Sequence, residues 1–268
     1  MLDLAKTCLW ERSFRRKGAL MHANRQLLTL LITVLASSWT YSSCVILLHG
    51  LVRTDRSMLK MEEALVEEGY HVINRSYPSR DHPIKTLATL AITPALESCS
   101  AHGPVNFVTH SLGGILVRQY LSTRNIRALK RVVMLGPPNQ GSEAVDQLGD
   151  LPGFHYVFGE AGLQLGTGPL STPNRLGSAH FDVGIIAGTR SINGPLSMLI
   201  PGADDGAVAL ARTHLTGMND HMAMPVTHSF MMQNKAVIAQ VIFYLEHGHF
   251  KRDAQDATKS IDQFDDSK

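Results

Sequence analysis

The chain has 268 residues, enough for one α/β domain of ordinary size with a large core, so a second domain is not required. It carries 25 basic and 23 acidic side chains, spread along the sequence, and its formal net charge is +2. This balance leaves no strongly basic surface, and we exclude nucleic acid as a partner. The three cysteines, Cys8, Cys44 and Cys99, lack the spacing of a metal site and allow at most one disulfide, between Cys44 and Cys99.

Residues 1–44 have the pattern of a targeting segment. Several arginines and a lysine precede an uninterrupted apolar run at residues 27–36. This run has the length of a signal-peptide core and is too short to span a bilayer comfortably. Ala36 and Ser38 then offer a small-x-small cleavage site, so the sequence predicts an exported protein, periplasmic or secreted. Two alternatives stay open: an uncleaved segment that anchors the chain in a membrane, and a buried amphipathic helix. Met21 is an alternative start of translation.

Apolar runs and helical patterns alternate through residues 45–250. Strands are predicted at residues 45–48, 71–75, 105 to the bend at 111, 131–135, 181–187 and 222–226. Helices are predicted at residues 57–68, 84–96, from 112 onward and at 235–247. Such alternation indicates βαβ units, so the predicted fold class is α/β with a mostly parallel central sheet flanked by helices. The charged tail, residues 251–268, is predicted to be disordered.

The alternation fails at residues 139–180, which are rich in Gly and Pro and have no strong period. Uninterrupted loops of this length are uncommon unless they cover or bind something. We therefore predict a lid-like insertion over the functional site, with a long structural loop as the alternative.

Ser111 stands where a predicted strand meets a predicted helix without a loop between them. Such a junction forces a tight, strained turn that pushes its side chain out of the sheet, and the small neighbours Gly113 and Gly114 give the turn room. The N–H of Leu112 is then unpaired at a helix start, aimed at the space above Ser111. The pattern predicts a nucleophile elbow; the alternative is a serine that only caps a helix.

A nucleophilic serine needs a base and a group that orients the base, in the chain order serine, acid, histidine for this fold class. We predict Ser111, Asp205 and His228 for these roles, since His228 falls between the last predicted strand and the closing helix. Asp205 is preferred because Gly206 directly after it permits the tight turn that would bring a carboxylate back toward the base, and Asp204 is expected to brace that turn instead. His221 is the second candidate for the base, but Asp220 beside it favours a surface turn.

The end of the first predicted strand supplies the second oxyanion donor. The N–H groups of Leu51 and Leu112 are predicted to form the oxyanion hole. His49 and His110 are interpreted as residues that support their loops, not as the base.

These motifs resemble the bacterial triacylglycerol lipase and esterase branch of the α/β-hydrolase superfamily, and they are similar to the lipase-like inositol deacylases. The segments that carry the resemblance are Leu48-His-Gly-Leu51, Val108-Thr-His-Ser-Leu-Gly-Gly114, Gly136-Pro-Pro-Asn-Gln-Gly-Ser142, Ile186-Ala-Gly188 and Asp205-Gly-Ala-Val208. The resemblance also implies that the acid is Asp205. Thr109 departs from the pattern, which usually has Gly there.

Together, the motifs and the resemblance predict a lipase or esterase that cleaves carboxylic esters through an acyl-serine intermediate, with no metal or organic cofactor. The expected substrate is an ester or lipid, and peripheral contact with a membrane is compatible with it. Two alternatives stay open: an acyltransferase on the same fold, and a catalytically idle relative that binds lipid or protein.

Overall fold

The computed structural model describes residues 43–252. The predicted targeting segment and the predicted tail therefore lie outside the described residues, apart from residues 43–44 and 251–252.

Six strands form one sheet in which every neighbouring pair is parallel, in the order β2-β1-β3-β4-β5-β6. The strands are β1 (Cys44–Leu48), β2 (His71–Asn74), β3 (Val105–His110), β4 (Leu129–Leu135), β5 (Val183–Gly188) and β6 (Asp220–Met224). Strands β1, β3 and β5 are buried along their whole length, as expected for parallel strands covered on both faces. The α/β fold with a parallel sheet is confirmed.

Eight α-helices connect or flank the strands in the described part of the chain. They are α1 (Leu59–Glu67), α2 (Ile84–Ser98), α3 (Leu112–Leu121), α4 (Glu143–Leu148), α5 (Phe154–Leu163), α6 (Thr172–Arg175), α7 (Gly194–Ser197) and α8 (Lys235–His247). The closing helix α8 has the predicted bounds. Asn234 caps it, because its side chain accepts hydrogen bonds from the N–H groups of Ala236 and Val237 at 2.9 and 3.2 Å.

Two hydrophobic cores lie on opposite faces of the sheet, since successive side chains of a strand point to opposite sides. Ile46 and Leu48 of β1 pack with α2 and α3 on one face. Val45 and Leu47 pack with α1 and α8 on the other. Each fully buried aliphatic side chain contributes roughly 1.5–3 kcal/mol to folding, so the two layers fix the sheet and the loops at its C-terminal edge.

The disulfide that the sequence allowed is present: Cys44 at the start of β1 is bonded to Cys99 at the end of α2, with 5.7 Å between their Cα atoms. It links the first strand to the helix that covers it. A crosslink over 55 positions of sequence is expected to stabilise the fold by restricting the unfolded chain.

Residues 139–180 are not a featureless loop, because three short helices, α4, α5 and α6, form within them. Their helical period is hard to read in sequence, since α4 and α6 have six and four residues, and α5 is kinked at Gly159. No helix among residues 43–252 is long and apolar enough to cross a membrane.

Candidate active site

Ser111 is the single residue between β3, which ends at His110, and α3, which begins at Leu112. Its backbone has φ 53° and ψ −119°, a strained conformation for a residue with a side chain. Its N–H donates to the carbonyl oxygen of Leu135 at 2.9 Å, and its own carbonyl accepts from the N–H of Gly114 at 3.0 Å. These bonds hold the strained turn that the sequence pattern predicted, and Ser111 lies half-buried at the C-terminal edge of the sheet.

The glycine after Leu112 is required by close packing between α3 and β1. A Cβ at Gly113 would lie 2.6 Å from the carbonyl oxygen of Leu48, which real contacts do not allow. Thr109, the departure from the lipase pattern, is fully buried in β3, and its hydroxyl is 3.4 Å from the carbonyl oxygen of Val133. The turn therefore forms with threonine at this position.

Asp205 and His228 form a hydrogen-bonded pair beside this turn. The ring N–H at Nδ1 of His228 donates to Oδ2 of Asp205 at 2.7 Å. The other carboxylate oxygen accepts from the N–H groups of Ala207 and Val208 at 3.0 and 2.8 Å. Asp205 is 1% exposed, so three N–H donors hold a carboxylate that water hardly reaches. Because Nδ1 carries the shared proton, Nε2 of His228 is left as an acceptor.

Asp204 binds partners other than His228. Its Oδ1 accepts from the N–H of Gly206 and from the hydroxyl of Ser197, both at 2.7 Å. It therefore braces the turn, as predicted. Both aspartates lie in the loop after α7, well past the end of β5 at Gly188.

Two glycines leave space for the Asp205–His228 pair. A Cβ at Gly136, which has φ +54°, would lie 2.9 Å from Oδ2 of Asp205 and 3.0 Å from Nδ1 of His228. A Cβ at Gly188 would lie 2.7 Å from the Cβ of Asp205. A side chain at the end of β4 or β5 would thus clash with the pair, so both positions require glycine.

His49 supports its loop, in agreement with its interpretation from sequence. Its Nδ1–H donates to the carbonyl oxygen of Gly50 at 2.9 Å, and its Nε2 accepts from the N–H of Tyr77 at 3.2 Å. The ring stacks on that of Tyr77 with 4.0 Å between centroids. Burial lowers the pKa of His49 below its ordinary value, so the ring is neutral at pH 7.

His110 supports the loop that carries His228. Its Nε2–H donates to the carbonyl oxygen of His228 at 2.9 Å, and the two rings lie 4.7 Å apart. Burial, followed by the neighbouring His228, holds the pKa of His110 well below its ordinary value. A neutral His110 adds no positive charge next to the other histidine.

One predicted oxyanion donor is the next residue after Ser111, and the other lines the same cavity as Ser111. Leu112 is the first residue of α3, and Leu51 follows β1 and lines the cavity beside Ser111. Within residues 43–252, neither backbone N–H donates a hydrogen bond, and both stay available to a ligand.

An apolar cavity of about 200 Å³ joins Ser111 to His228. Much of its wall comes from residues 139–180, namely Val145, Leu148, Phe154, Phe158 and Leu165. Ser111 Oγ makes no hydrogen bond within the described residues, and it opens into this cavity together with the ring of His228. A larger cavity of about 690 Å³ lies elsewhere and contains neither residue.

Two polar residues of the cavity wall were missed in the sequence. Arg53 stands two positions after Leu51, and Ser142 ends one of the quoted motifs. The hydroxyl of Ser142 donates to the carbonyl oxygen of Ala207 at 2.7 Å, which ties the segment after β4 to the loop of Asp205. The only sequence signal for Ser142 is its place at the end of that motif, and the only one for Arg53 is its nearness to Leu51.

His221, the second candidate for the base, does not lie in a surface turn as predicted but in β6. Strand pairing places it opposite Ile185, three residues before the end of β5. Its Nε2 is 2.8 Å from the hydroxyl of Thr213, and it stacks on His214. The apolar pattern of β6 is weak, which explains why the strand was predicted two residues too late.

No cluster of three or more metal-binding side chains occurs within residues 43–252. The functional groups that the site at Ser111 does contain are a hydroxyl, an imidazole, a carboxylate and two free N–H groups, beside an apolar wall.

No protein-family model matches the sequence, and no curated protein matches it closely. Solved structures, in contrast, match with high probability. The mature lipase BlEst2 of Bacillus licheniformis aligns over 76% of this chain and 92% of its own, with TM-score 0.62 and 19% identity. An esterase of Pyrococcus furiosus aligns over 76% of this chain and 81% of its own, with TM-score 0.53 and 17% identity.

Phospholipase PlaB of Legionella pneumophila aligns over 65% of this chain, with TM-score 0.54 and 20% identity. The alignment spans only 46% of PlaB. Sequence identities this low show a shared fold and do not show a shared activity. The chain has the α/β-hydrolase fold, and a lipase, a phospholipase and an esterase are among its structural neighbours.

Proposed function

We propose that the protein is a serine hydrolase that cleaves carboxylic esters through an acyl-serine intermediate. One observation carries the proposal: a buried carboxylate, Asp205, holds Nδ1 of His228 at 2.7 Å, while the same ring and the strained Ser111 open into one cavity. A hydroxyl, a base and an orienting acid are the parts that nucleophilic acyl transfer needs.

In the proposed first step, Ser111 Oγ attacks the ester carbonyl carbon while Nε2 of His228 takes the hydroxyl proton. The carbonyl oxygen becomes an oxyanion, which accepts hydrogen bonds from the N–H groups of Leu51 and Leu112. Asp205 stabilises the imidazolium and keeps the ring oriented without taking the proton itself.

The tetrahedral intermediate then collapses. The bond from carbon to the alcohol oxygen breaks, and His228 returns the proton to the departing alcohol. In the second half-reaction, water attacks the acyl carbon while His228 takes a proton from it. The bond from the acyl carbon to Ser111 Oγ then breaks, His228 returns the proton to Oγ, and the carboxylic acid leaves. The neutral His110 supports this cycle, because a fixed positive charge at that position would oppose formation of the imidazolium.

The lining of the cavity supports an ester with an apolar acyl group. Phe154, Phe158 and Leu148 offer apolar surface close to Ser111. Each methylene buried there would gain about 0.8 kcal/mol. We propose medium-chain or lipid-like esters as the substrate class, with residues 139–180 acting as the cover of the acyl site.

We also propose that the protein is exported. The Cys44–Cys99 disulfide supports this, since such bonds persist in oxidising compartments and are rare in reducing ones.

A fluorophosphonate probe tests the proposed chemistry. The reagent reacts with an activated serine, and peptide mapping by mass spectrometry then locates the adduct. We expect one adduct, on Ser111, and loss of p-nitrophenyl ester hydrolysis in parallel with labelling. If the protein is not labelled and hydrolyses no ester, it is a catalytically idle relative that only binds lipid or protein. If it transfers the acyl group to an added alcohol in preference to water, it is an acyltransferase.

A further inference from the structure

The second cavity, of about 690 Å³, lies at the opposite end of α3 from Ser111. Its wall is built from the end of α3, the connection to β4 and the segment before β5. A helix of ten residues is about 15 Å long, so this cavity is well separated from the candidate active site. Nothing in the proposed ester hydrolysis uses it.

Basic side chains dominate the polar wall of this cavity. Arg118, Arg124, Arg127 and Lys130 line it together with His180. Among its lining residues in the described chain, Asp182 is the single carboxylate, and it already has partners. Its two oxygens are 2.6 Å from the hydroxyl of Tyr244 and 3.4 Å from Nε of Arg131. The cavity therefore has an excess of positive charge.

Arg118 is a buried cation that forms no ion pair with a carboxylate of residues 43–252. It is 5% exposed, and burial lowers its pKa to about 10, which still leaves it charged at neutral pH. Its hydrogen bonds go to neutral oxygens only: the carbonyl and side-chain oxygens of Asn139, and the carbonyl oxygens of Pro173 and Gly177. Burying a charge without an opposite charge is costly, and an anion in the adjacent cavity would offset that cost.

The outer cations of the cavity are free to bind. Arg127 and Lys130 are exposed, and their side chains form no hydrogen bond or ion pair within residues 43–252. Arg124 donates to the hydroxyl of Thr89 at 3.0 Å and lies 4.9 Å from the ring centre of Tyr120. In the described part of the chain, none of the three forms an ion pair with a carboxylate.

We propose that this cavity binds a phosphate-bearing organic ligand. A phosphate carries more than one negative charge and several acceptor oxygens, which matches a set of arginine and lysine donors better than a single carboxylate does. Leu121, Leu129 and Phe181 add apolar wall beside the cations and would contact the organic part. A soluble phosphate ester and the headgroup of an anionic phospholipid share this chemistry.

Isothermal titration calorimetry with phenyl phosphate tests the proposal on the whole protein. The test variant is the pair Arg127→Ala and Lys130→Ala, because both side chains are exposed and unpaired and their loss should not disturb folding. The control is the pair Arg56→Ala and Lys60→Ala, two exposed cations outside the cavity that change net charge equally. We expect the Kd of the test variant to rise at least about tenfold, with wild-type affinity in the control. Ester hydrolysis should be unchanged in both.

The source of the phosphate is distinguished by sedimentation with vesicles made with and without phosphatidic acid. Binding to phenyl phosphate alone supports a soluble ligand, and binding to the anionic vesicles that is lost in the test variant supports a lipid headgroup. Two results overturn the proposal: no binding of either probe to the wild type, or equal losses in the test and control variants, which would mean a diffuse effect of net charge.

Discussion

His228 is joined to Asp205 twice. Its ring donates from Nδ1 to Oδ2 of Asp205 at 2.7 Å, and its backbone N–H donates to the carbonyl oxygen of Asp205 at 2.8 Å. The second bond fixes the main chain of the loop that carries the histidine, and the first fixes the ring. Two segments more than twenty residues apart are therefore locked together at the point where the proposed base must be oriented.

Neutralising Asp205 should remove this orientation while leaving the fold in place. We expect Asp205→Asn to lower kcat by roughly ten-thousand-fold, the effect of the same change in a serine protease, because the amide favours the wrong tautomer of His228. Asp204→Asn is the matched control. It should keep near wild-type kcat but lose about 1–3 kcal/mol of stability, since it weakens the bonds to Gly206 and Ser197. Steady-state kinetics and urea unfolding measure both effects, and a crippled Asp204→Asn beside an active Asp205→Asn would reverse the assignment.

Phe158 should set the preference for longer acyl chains. It lines the cavity and its ring lies 4.6 Å from that of Phe154. Phe158→Ala removes apolar wall that methylene groups would contact, so kcat/KM for p-nitrophenyl hexanoate should fall by about tenfold, with little change for the acetate. Tyr156→Ala, on the same helix but 88% exposed, is the control. Equal losses on both esters would show that this segment is not the acyl site.

The stability of the fold should decline in mild acid because of His221. Burial, followed by repulsion from the stacked His214, lowers the pKa of His221 to about 4. Between this value and about 6.5, the unfolded chain binds more protons than the folded one, so stability rises with pH across that window and is lost as the pH falls. We expect a loss of roughly 1 kcal/mol between pH 7 and pH 5 from this residue, after allowance for its partial exposure.

Replacing the ring tests that contribution. His221→Gln keeps a donor for Thr213 and should flatten the dependence of the urea midpoint on pH, whereas His180→Gln, at an exposed position, should leave it as in the wild type. Identical pH profiles for all three proteins would place the acid sensitivity elsewhere.

Export should be visible in the mass of the protein made by its native host. Cleavage after Ser38 would give a chain that begins near Trp39, still including Cys44 and Cys99. Intact mass before and after reduction and alkylation should therefore show the shortened chain and one disulfide. A reduced, uncleaved chain recovered from the cytoplasm would refute the export proposal.

Local patterns were sufficient to predict the strand–helix junction at Ser111 and the closing helix that follows His228. The continuous apolar runs of β1 and β3 and the helical period of α8 are strong signals in the sequence. Ser111 lies where the run of β3 ends and the next helical pattern begins. Asp205 could be chosen over Asp204 from the adjacent Gly206, although the actual loop geometry was not predicted.

The remaining features depend on tertiary contacts. The short helices α4 and α6 have too few residues for a readable period, and His221 lies in a strand whose apolar pattern is weak. The basic cavity was not foreseen, because its cations come from segments that only the fold brings together, and Arg118 looks like an ordinary residue of an amphipathic helix.

The most direct test of the proposed function is kcat of Ser111→Ala with p-nitrophenyl hexanoate. The change removes one oxygen from a half-buried turn, so circular dichroism and the urea midpoint should match the wild type. If Ser111 is the nucleophile, kcat should fall by roughly a million-fold, as for the nucleophile of a well-studied protease. A Ser111→Ala protein that folds normally and keeps about a tenth of the wild-type activity or more would contradict the acyl-serine mechanism.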